Sequence, residues 1–267
     1  MMNYAKKGEV FLIGAGPGDP EFLTLKALRM LQTAEVVVHD RLVSQDILDL
    51  IPDHVQRMNV GKQPNYHPVP QDEINALLLR LAKRGAIVAR LKGGDPMIFG
   101  RGSEEAAFLR AGGVNVTYAP GITAAQGVSA ATGVPLTHRG LATGVRFVTG
   151  HCQANRPLDL DWEGLADPQT TLVVYMGLAN IQQIAGELIS YGMPATHPVL
   201  VVANGTRANE HRLVTTLEAL ALKAPKLAAR GPVLFIIGAV VTLMAEKPVS
   251  AIENVLQLPE LGEVLHG

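Results

Sequence analysis

Short apolar runs, each followed by a segment with helical spacing, constrain the fold of this chain most. The first run, 10–14 (VFLIG), has no polar alternation, which indicates a strand buried on both faces. Helical spacing follows in 21–34, with an apolar face made of four residues: Phe22, Leu25, Leu28 and Leu31. Strand and helix patterns alternate in this way up to residue 138, which predicts a mostly parallel, doubly wound α/β sheet.

A second lobe is indicated after residue 138. Residues 134–144 (VPLTHRGLATG) show no periodicity and several turn residues, as expected of a crossover. Several of the strand-like runs beyond it lack long helices between them, which predicts a mixed sheet, and a helix is expected at 215–224. We therefore predict an α/β fold of two lobes, 1–138 and 139–246, with the active site in the cleft between them and a polar tail at 247–267.

Composition limits the partners and the compartment. The formal net charge is −1 with no long basic run, which argues against a nucleic-acid-binding surface. The longest apolar stretch, 233–244, is too short to span a bilayer, and the first residues lack the apolar region of a signal peptide. Cys152 is the single cysteine, which excludes an internal disulfide framework. We expect a cytoplasmic protein that binds neither nucleic acid nor membrane.

The loop after the first strand, 14–20 (GAGPGDP), has the glycine spacing of a dinucleotide site, and Asp40 ends the next strand. The local chemistry argues against that interpretation. A phosphate is bound by backbone N–H groups at the start of a helix. Here Pro17 lacks that donor, and Asp19 places a negative charge where a pyrophosphate would lie.

A second loop, 93–96 (GGDP), repeats this chemistry, with Asp95 where a helix is expected to begin. One interpretation of Asp19 and Asp95 is that both cap helices, which favour anions in the first turn. The other is a ligand with hydroxyls, an ammonium or a sulfonium and no phosphate. S-adenosylmethionine has all three groups, so it is favoured over a nicotinamide cofactor.

Long motifs carry a resemblance over nearly the whole chain, from about Gly8 to about Glu246. The segments VFLIGAGPGDPEFLTLKAL, VVVHDRLVS, ARLKGGDPMIFGRGSEE, VTYAPGITAA, THRG and VVYMG resemble those of uroporphyrinogen-III C-methyltransferases, within the wider tetrapyrrole (class III) methyltransferases. The chain resembles the stand-alone form of these enzymes, without a fused dehydrogenase/ferrochelatase domain.

The resemblance implies S-adenosylmethionine as methyl donor and S-adenosylhomocysteine as product. It implies two successive methylations of uroporphyrinogen III, giving precorrin-1 and then precorrin-2 for sirohaem, cobalamin or haem d1 synthesis, by a homodimer. By motif, nine residues would bind the donor between the lobes: Pro17, Gly93, Gly94, Asp95, Ile98, Thr123, Ala124, Met176 and Gly205.

Catalytic residues are also implied by the resemblance. Asp40 in HDRLVS would accept a proton and Lys62 in VGK would donate one, because carbon methylation of a pyrrole requires a proton to leave. Arg101 is a third candidate, acting near the proton that is lost. A structural ion pair between Asp40 and Lys62 is the alternative interpretation.

Uroporphyrinogen carries eight carboxylates, so arginines are expected around its site. The candidates are Arg41, Arg101 and Arg139, with Glu104 orienting an arginine or meeting a pyrrole N–H; the weaker ones are Arg146 and Arg207. Four histidines lack a metal-binding spacing, so no metal is expected: His39, His67, His138 and His151. Histidines 138 and 151 can still contact substrate carboxylates.

Three other functions remain open at this point. One is a related methyltransferase that acts on a later corrinoid intermediate. A nucleotide-dependent oxidoreductase is disfavoured by Pro17, Asp19 and Asp95, as argued above. A noncatalytic S-adenosylmethionine sensor would leave the arginine loops and Lys62 without a purpose.

Overall fold

Two five-stranded sheets organise the chain in a computed structural model, which describes residues 6–61, 69–151, 158–224 and 231–244. The α/β class and the two-lobe arrangement are confirmed. The predicted tail, 247–267, lies outside the described residues. None of the described helices is long and apolar enough to cross a membrane.

The first sheet is entirely parallel, as its continuous apolar strands predicted. Its spatial order is β3-β2-β4-β1-β5. The strands are β1 (Val10–Gly14), β2 (Val36–His39), β3 (Gln56–Asn59), β4 (Val88–Lys92) and β5 (Val116–Ala119).

Helices cover both faces of this sheet because β1 buries residues on both sides. Phe11 and Ile13 pack with α1 and α2, whereas Val10 and Leu12 pack with α3 and α4. The helices are α1 (Leu25–Thr33), α2 (Gln45–Leu48), α3 (Gln71–Lys83) and α4 (Gly102–Ala111).

The helix predicted from residue 21 begins only at Leu25, and the prediction of its apolar face was partly wrong. Residues 20–22 form a separate 3₁₀ turn, in which the Asp19 carboxylate accepts from the N–H of Glu21 at 2.8 Å. The capping interpretation of Asp19 is therefore confirmed. Helix α1 starts after Thr24, and this break shifts the helical phase, so Leu25 is 70% exposed.

The second sheet is mixed, as predicted, in the order β6-β7-β10-β8-β9. Strands β6 and β7 are parallel, whereas the remaining pairs are antiparallel. The strands are β6 (Gly144–Thr149), β7 (Thr170–Tyr175), β8 (Pro198–Ala203), β9 (His211–Thr216) and β10 (Val233–Ile237). The helix predicted at 215–224 is shorter, Leu217–Lys223, because residues 215 and 216 end β9.

One face of this sheet packs against α6 (Trp162–Leu165), α7 (Ile181–Ser190) and α8 (Leu217–Lys223). The other face packs against α5 (Ala124–Thr132), whose Ala125 and Val128 contact the second-sheet core. Helix α5 precedes residue 138 yet packs on the second sheet. The division into 1–138 and 139–246 stays a prediction.

Candidate active site

A cavity of about 510 Å³ lies between the two sheets and is lined by loops from both lobes. All nine residues predicted to bind the methyl donor line it. A larger depression, about 850 Å³, lies between β3 and α3, but its lining contains none of the predicted site residues. We therefore place the candidate site in the cavity between the sheets, whereas the binding roles of the nine residues stay predictions.

The two glycine loops meet at the first-lobe side of this cavity. Gly16 and Gly94 exchange backbone hydrogen bonds, at 3.1 Å to the Gly94 carbonyl and 2.7 Å to the Gly16 carbonyl. Both glycines have positive φ, 74° and 67°, which favours glycine. Ser44 precedes α2, but its hydroxyl donates to the Gly18 carbonyl at 2.5 Å instead of capping the helix.

Asp95 ties the second loop to the end of β5. One carboxylate oxygen accepts from the N–H of Met97 at 2.7 Å, and the other accepts from the N–H of Gly121 at 2.9 Å. The expectation that Asp95 stands at a helix entry is wrong, because α4 begins only at Gly102. Because the Asp95 carboxylate already accepts these two backbone N–H groups, they are not available to bind a phosphate.

Strained backbone is concentrated around the same cavity. In the described part of the chain, five residues other than glycine have positive φ: Phe99, Arg101, Met176, Asn204 and Thr206. The first four of them line the cavity. Left-handed conformations cost roughly 1–3 kcal/mol each and concentrate at functional sites. The strain is thus independent support for this location.

Aromatic rings connect the two lobes at the cavity. Phe99 follows β4 of the first sheet, and its ring centroid lies 5.1 Å from that of Tyr175 in β7. Phe147 of β6 packs against the same tyrosine at 5.7 Å, edge to face. Both pairs have the tilted or edge-to-face arrangement that aromatic rings prefer.

Asp40 lies at the carboxyl end of β2 with its side chain 29% exposed, and it lines the cavity. Its carboxylate accepts from Arg90 Nη2 at 2.6 Å. Lys62, the predicted proton donor, lies outside the described residues, so its role and the alternative ion pair with Asp40 stay predictions.

Sequence reasoning missed three charged residues beneath Asp40: Arg90, Lys92 and Glu105. All three are buried, and the two cations line the cavity. The signal was present in the run VARLK, 88–92, which predicts a buried strand that nevertheless carries two cations. Buried cations require a nearby anion.

Arg101 lines the cavity and pairs with Glu104 at 2.7 Å, with both side chains more than half exposed. This hydrogen bond raises the pKa of Arg101 and lowers the pKa of Glu104. Glu104 lies outside the cavity lining, as do Arg41 and Arg139, which are exposed on other loops. Of the three arginines predicted to bind the substrate, Arg101 therefore lines the cavity, whereas Arg41 and Arg139 do not.

The weaker arginine candidates differ in position. Arg207 lines the cavity, and its side chain donates to the Leu42 carbonyl. This hydrogen bond joins the two lobes. Burial lowers the pKa of the Arg207 guanidinium. Arg146 lies outside the lining and donates to the Gly164 carbonyl within α6. Among the described residues, no three His, Cys, Asp or Glu side chains come together as metal ligands.

Comparison with known proteins identifies the family of the chain. The family model of tetrapyrrole (corrin/porphyrin) methylases matches residues 9–221. The chain belongs to this family. It is 56% identical over 263 residues to a uroporphyrinogen-III C-methyltransferase from Paracoccus denitrificans, covering 98% of this chain and 91% of that protein.

Two further relatives match this chain over different shares of their own length. A sirohaem synthase from Nitrosospira multiformis is 49% identical over 241 residues, which cover 89% of this chain and 50% of that protein. The chain thus spans about half the length of that relative. The solved structure of a uroporphyrin-III C-methyltransferase from Thermus thermophilus, complexed with S-adenyl homocysteine, is 44% identical with a TM-score of 0.75, covering 88% of this chain and 99% of that one.

Proposed function

We propose that this chain transfers methyl groups from S-adenosylmethionine to carbon atoms of uroporphyrinogen III. Two successive transfers give precorrin-1 and then precorrin-2. The observation that carries the proposal is one cavity that is lined by all nine predicted donor-binding residues together with Asp40 and Arg101. The high identity to a uroporphyrinogen-III C-methyltransferase supports the choice of acceptor over a later corrinoid intermediate.

The cavity suits a donor that carries an adenosine and a sulfonium. A β-carbon added to Gly94 would meet nothing within 4 Å, so the backbone there leaves room for a ligand to approach closely. Met176 has a φ of 53°, which turns the backbone after Tyr175 toward the cavity lining. S-adenosylmethionine supplies an electrophilic methyl group when it is bound, and the protein orients the acceptor carbon toward it.

The charged side of the cavity suits the acceptor. Asp40 is proposed to accept the pyrrole N–H proton, since its carboxylate is partly exposed at the cavity. It pairs with the buried Arg90, which in turn pairs with the buried Glu105. Arg101, in the lining, is proposed to bind a substrate carboxylate, and Glu104, which pairs with it from outside the lining, is proposed to meet a pyrrole N–H. Lys62 is proposed to return a proton to the conjugated system.

One anaerobic assay tests the proposal. The enzyme is mixed with methyl-labelled S-adenosylmethionine and uroporphyrinogen III, and label and absorbance of the tetrapyrrole are followed. Two labelled methyl groups per ring are expected. Absence of label from the ring contradicts the proposal, and labelling of only a pre-methylated ring supports the alternative acceptor.

We further propose that the protein works in the cytoplasm as a homodimer, without nucleic-acid or membrane partners. Sedimentation equilibrium of the purified chain tests the dimer, and fractionation of the cells that produce it tests the location.

A further inference from the structure

Beneath Asp40 lies a connected group of charged side chains, here called the buried ionic cluster: Asp40, Arg90, Lys92 and Glu105. Glu105 Oε1 accepts from Lys92 Nζ at 2.9 Å and from Arg90 Nε at 3.3 Å. Arg90 also donates to Asp40 at 2.6 Å, and Lys92 Nζ lies 3.7 Å from the other Asp40 oxygen. Glu105 and Asp40 therefore hold the same two cations from opposite sides.

Burial is graded across the cluster. The side chain of Glu105 is 0% exposed, those of Arg90 and Lys92 are 1% and 5%, and that of Asp40 is 29%. Asp40 is therefore the cluster's exposed carboxylate at the cavity, and Glu105 cannot reach a ligand without a rearrangement. Gln71 of α3 donates to the same Glu105 oxygen at 3.0 Å, while Glu105 Oε2 has no hydrogen-bond partner among the described residues.

Stability alone is a weak reason for such an arrangement. Apolar residues of similar volume are often as stable as a buried ion pair, because the charges lose their hydration. The cluster has two cations and two carboxylates, so it is neutral as a whole. Without Glu105, two buried cations would face Asp40 alone.

We propose that Glu105 is a positioning residue, which sets the orientation and basicity of Asp40 through Arg90 and Lys92. This inference rests on the proposed function, in which Asp40 accepts the pyrrole proton. Glu105 contacts the same two cations as Asp40, so its charge and position act on the Asp40 carboxylate through them.

Other charged groups around Asp40 stay unchanged in the test below. His39 precedes it on β2, and its Nδ1 lies 3.2 Å from the Asp40 carbonyl oxygen. Burial chiefly lowers the pKa of His39, with smaller effects of Arg90 and Arg57 in the same direction. Arg41 follows Asp40 in the chain, and Arg101 and Glu104 lie near the start of α4.

The test compares Glu105→Gln, Lys92→Gln and their double variant. Removing the anion favours the Asp40 carboxylate, so the acidic limb of the kcat profile is expected to move down by about one pH unit. Removing the cation is expected to move the limb up by a similar amount, and the double variant is expected to return close to wild type. At neutral pH, we expect Glu105→Gln to lower kcat roughly tenfold with a smaller change in KM.

Glu73→Gln is the matched control, because it makes the same chemical change at an exposed position on α3. Its profile is expected to match wild type. Circular dichroism and calorimetric titration with S-adenosylhomocysteine check that each variant is folded. If Glu105→Gln does not fold, Glu105→Asp replaces it, because it keeps the charge but shortens the side chain; a wild-type kcat and acidic limb in that variant overturn the proposal.

Two negative results are distinguishable. If the wild-type enzyme transfers no label to uroporphyrinogen III, the proposed function fails. If the wild type transfers label but the acidic limb of Glu105→Gln matches wild type, or moves in the same direction in both single variants, the positioning role of Glu105 is overturned.

Discussion

The hydroxyl of Tyr175 accepts a hydrogen bond from the backbone N–H of Ala125 at 3.1 Å. Tyr175 ends β7, and Ala125 lies in the first turn of α5, so the bond fixes the start of that helix over the second sheet. Thr123 and Ala124, next to this bond, line the cavity. The position of two predicted donor-binding residues therefore depends on one hydroxyl.

Tyr175→Phe is expected to weaken both stability and donor binding. The ring contacts with Phe99 and Phe147 remain, but the buried N–H of Ala125 loses its acceptor, which costs about 1–2 kcal/mol. We expect the affinity for S-adenosylhomocysteine to fall roughly fivefold, measured by calorimetric titration. Tyr191→Phe, at a side chain that is about half exposed, makes the same change as a control. Equal affinities for the two variants would contradict the argument.

Gly121→Ala is expected to destabilise the first lobe strongly. A β-carbon there would overlap the Gly94 carbonyl oxygen and lie 2.8 Å from the Gly14 Cα, and these backbone atoms cannot rotate away. We expect the free energy of unfolding in urea to fall by about 3 kcal/mol. Gly186→Ala in α7 is the control, because a β-carbon there meets no atom within 4 Å. It is expected to stabilise by about 0.5–1 kcal/mol.

The parallel sheet could be predicted because a strand covered on both faces has few polar residues. Strand β9 was not predicted, for the opposite reason. It is an edge strand of alternating exposure, and the leucine-rich segment after it dominates the periodicity. A local pattern cannot show which neighbour covers a strand.

Part of the lining of the candidate site could be predicted, because the loops around Gly16 and Gly94 carry recognisable glycine motifs. The buried ionic cluster could not be predicted, because its contacts depend on tertiary packing. Arg90 and Glu105 are 15 residues apart, and Arg90 and Asp40 are 50 apart. Their pairing follows from the sheet order and from the position of α4, which spacing along the chain does not give.

The protein is expected to lose stability as the pH falls, because some of its histidines are buried in the uncharged form. Burial lowers the pKa of His197, whose Nε2 has no hydrogen-bond partner among the described residues. Burial is also the largest cause of the lowered pKa of His39. In the unfolded chain a histidine binds a proton near pH 6.5, so below about pH 6.5 the unfolded state holds more protons than the folded state. Stability is complete above that pH and is lost as the pH falls toward the lowered folded-state pKa.

The measurement is urea unfolding between about pH 7.5 and 5. Each such histidine adds up to about 1.4 kcal/mol per pH unit to the slope of stability against pH. His197→Gln is expected to show a shallower slope than wild type, whatever its stability at pH 7.5. His54→Gln, at an exposed position, is expected to keep the wild-type slope. Identical slopes in all three proteins would exclude His197 as a contributor.

Arg101→Ala is expected to lower methyl transfer roughly 100-fold while binding of S-adenosylhomocysteine changes less than about threefold. Arg101 has a φ of 58°, and alanine keeps the β-carbon, so the backbone strain is the same in both proteins. The loss would therefore report the guanidinium, which pairs with Glu104 at the cavity rim. Arg101→Lys keeps the charge but not the planar fork that binds a carboxylate at two points, so we expect it to recover only part of the rate. Arg84→Ala, at an exposed arginine after α3, is the control. Full turnover of Arg101→Ala at a tetrapyrrole concentration below KM would remove Arg101 from the proposed mechanism.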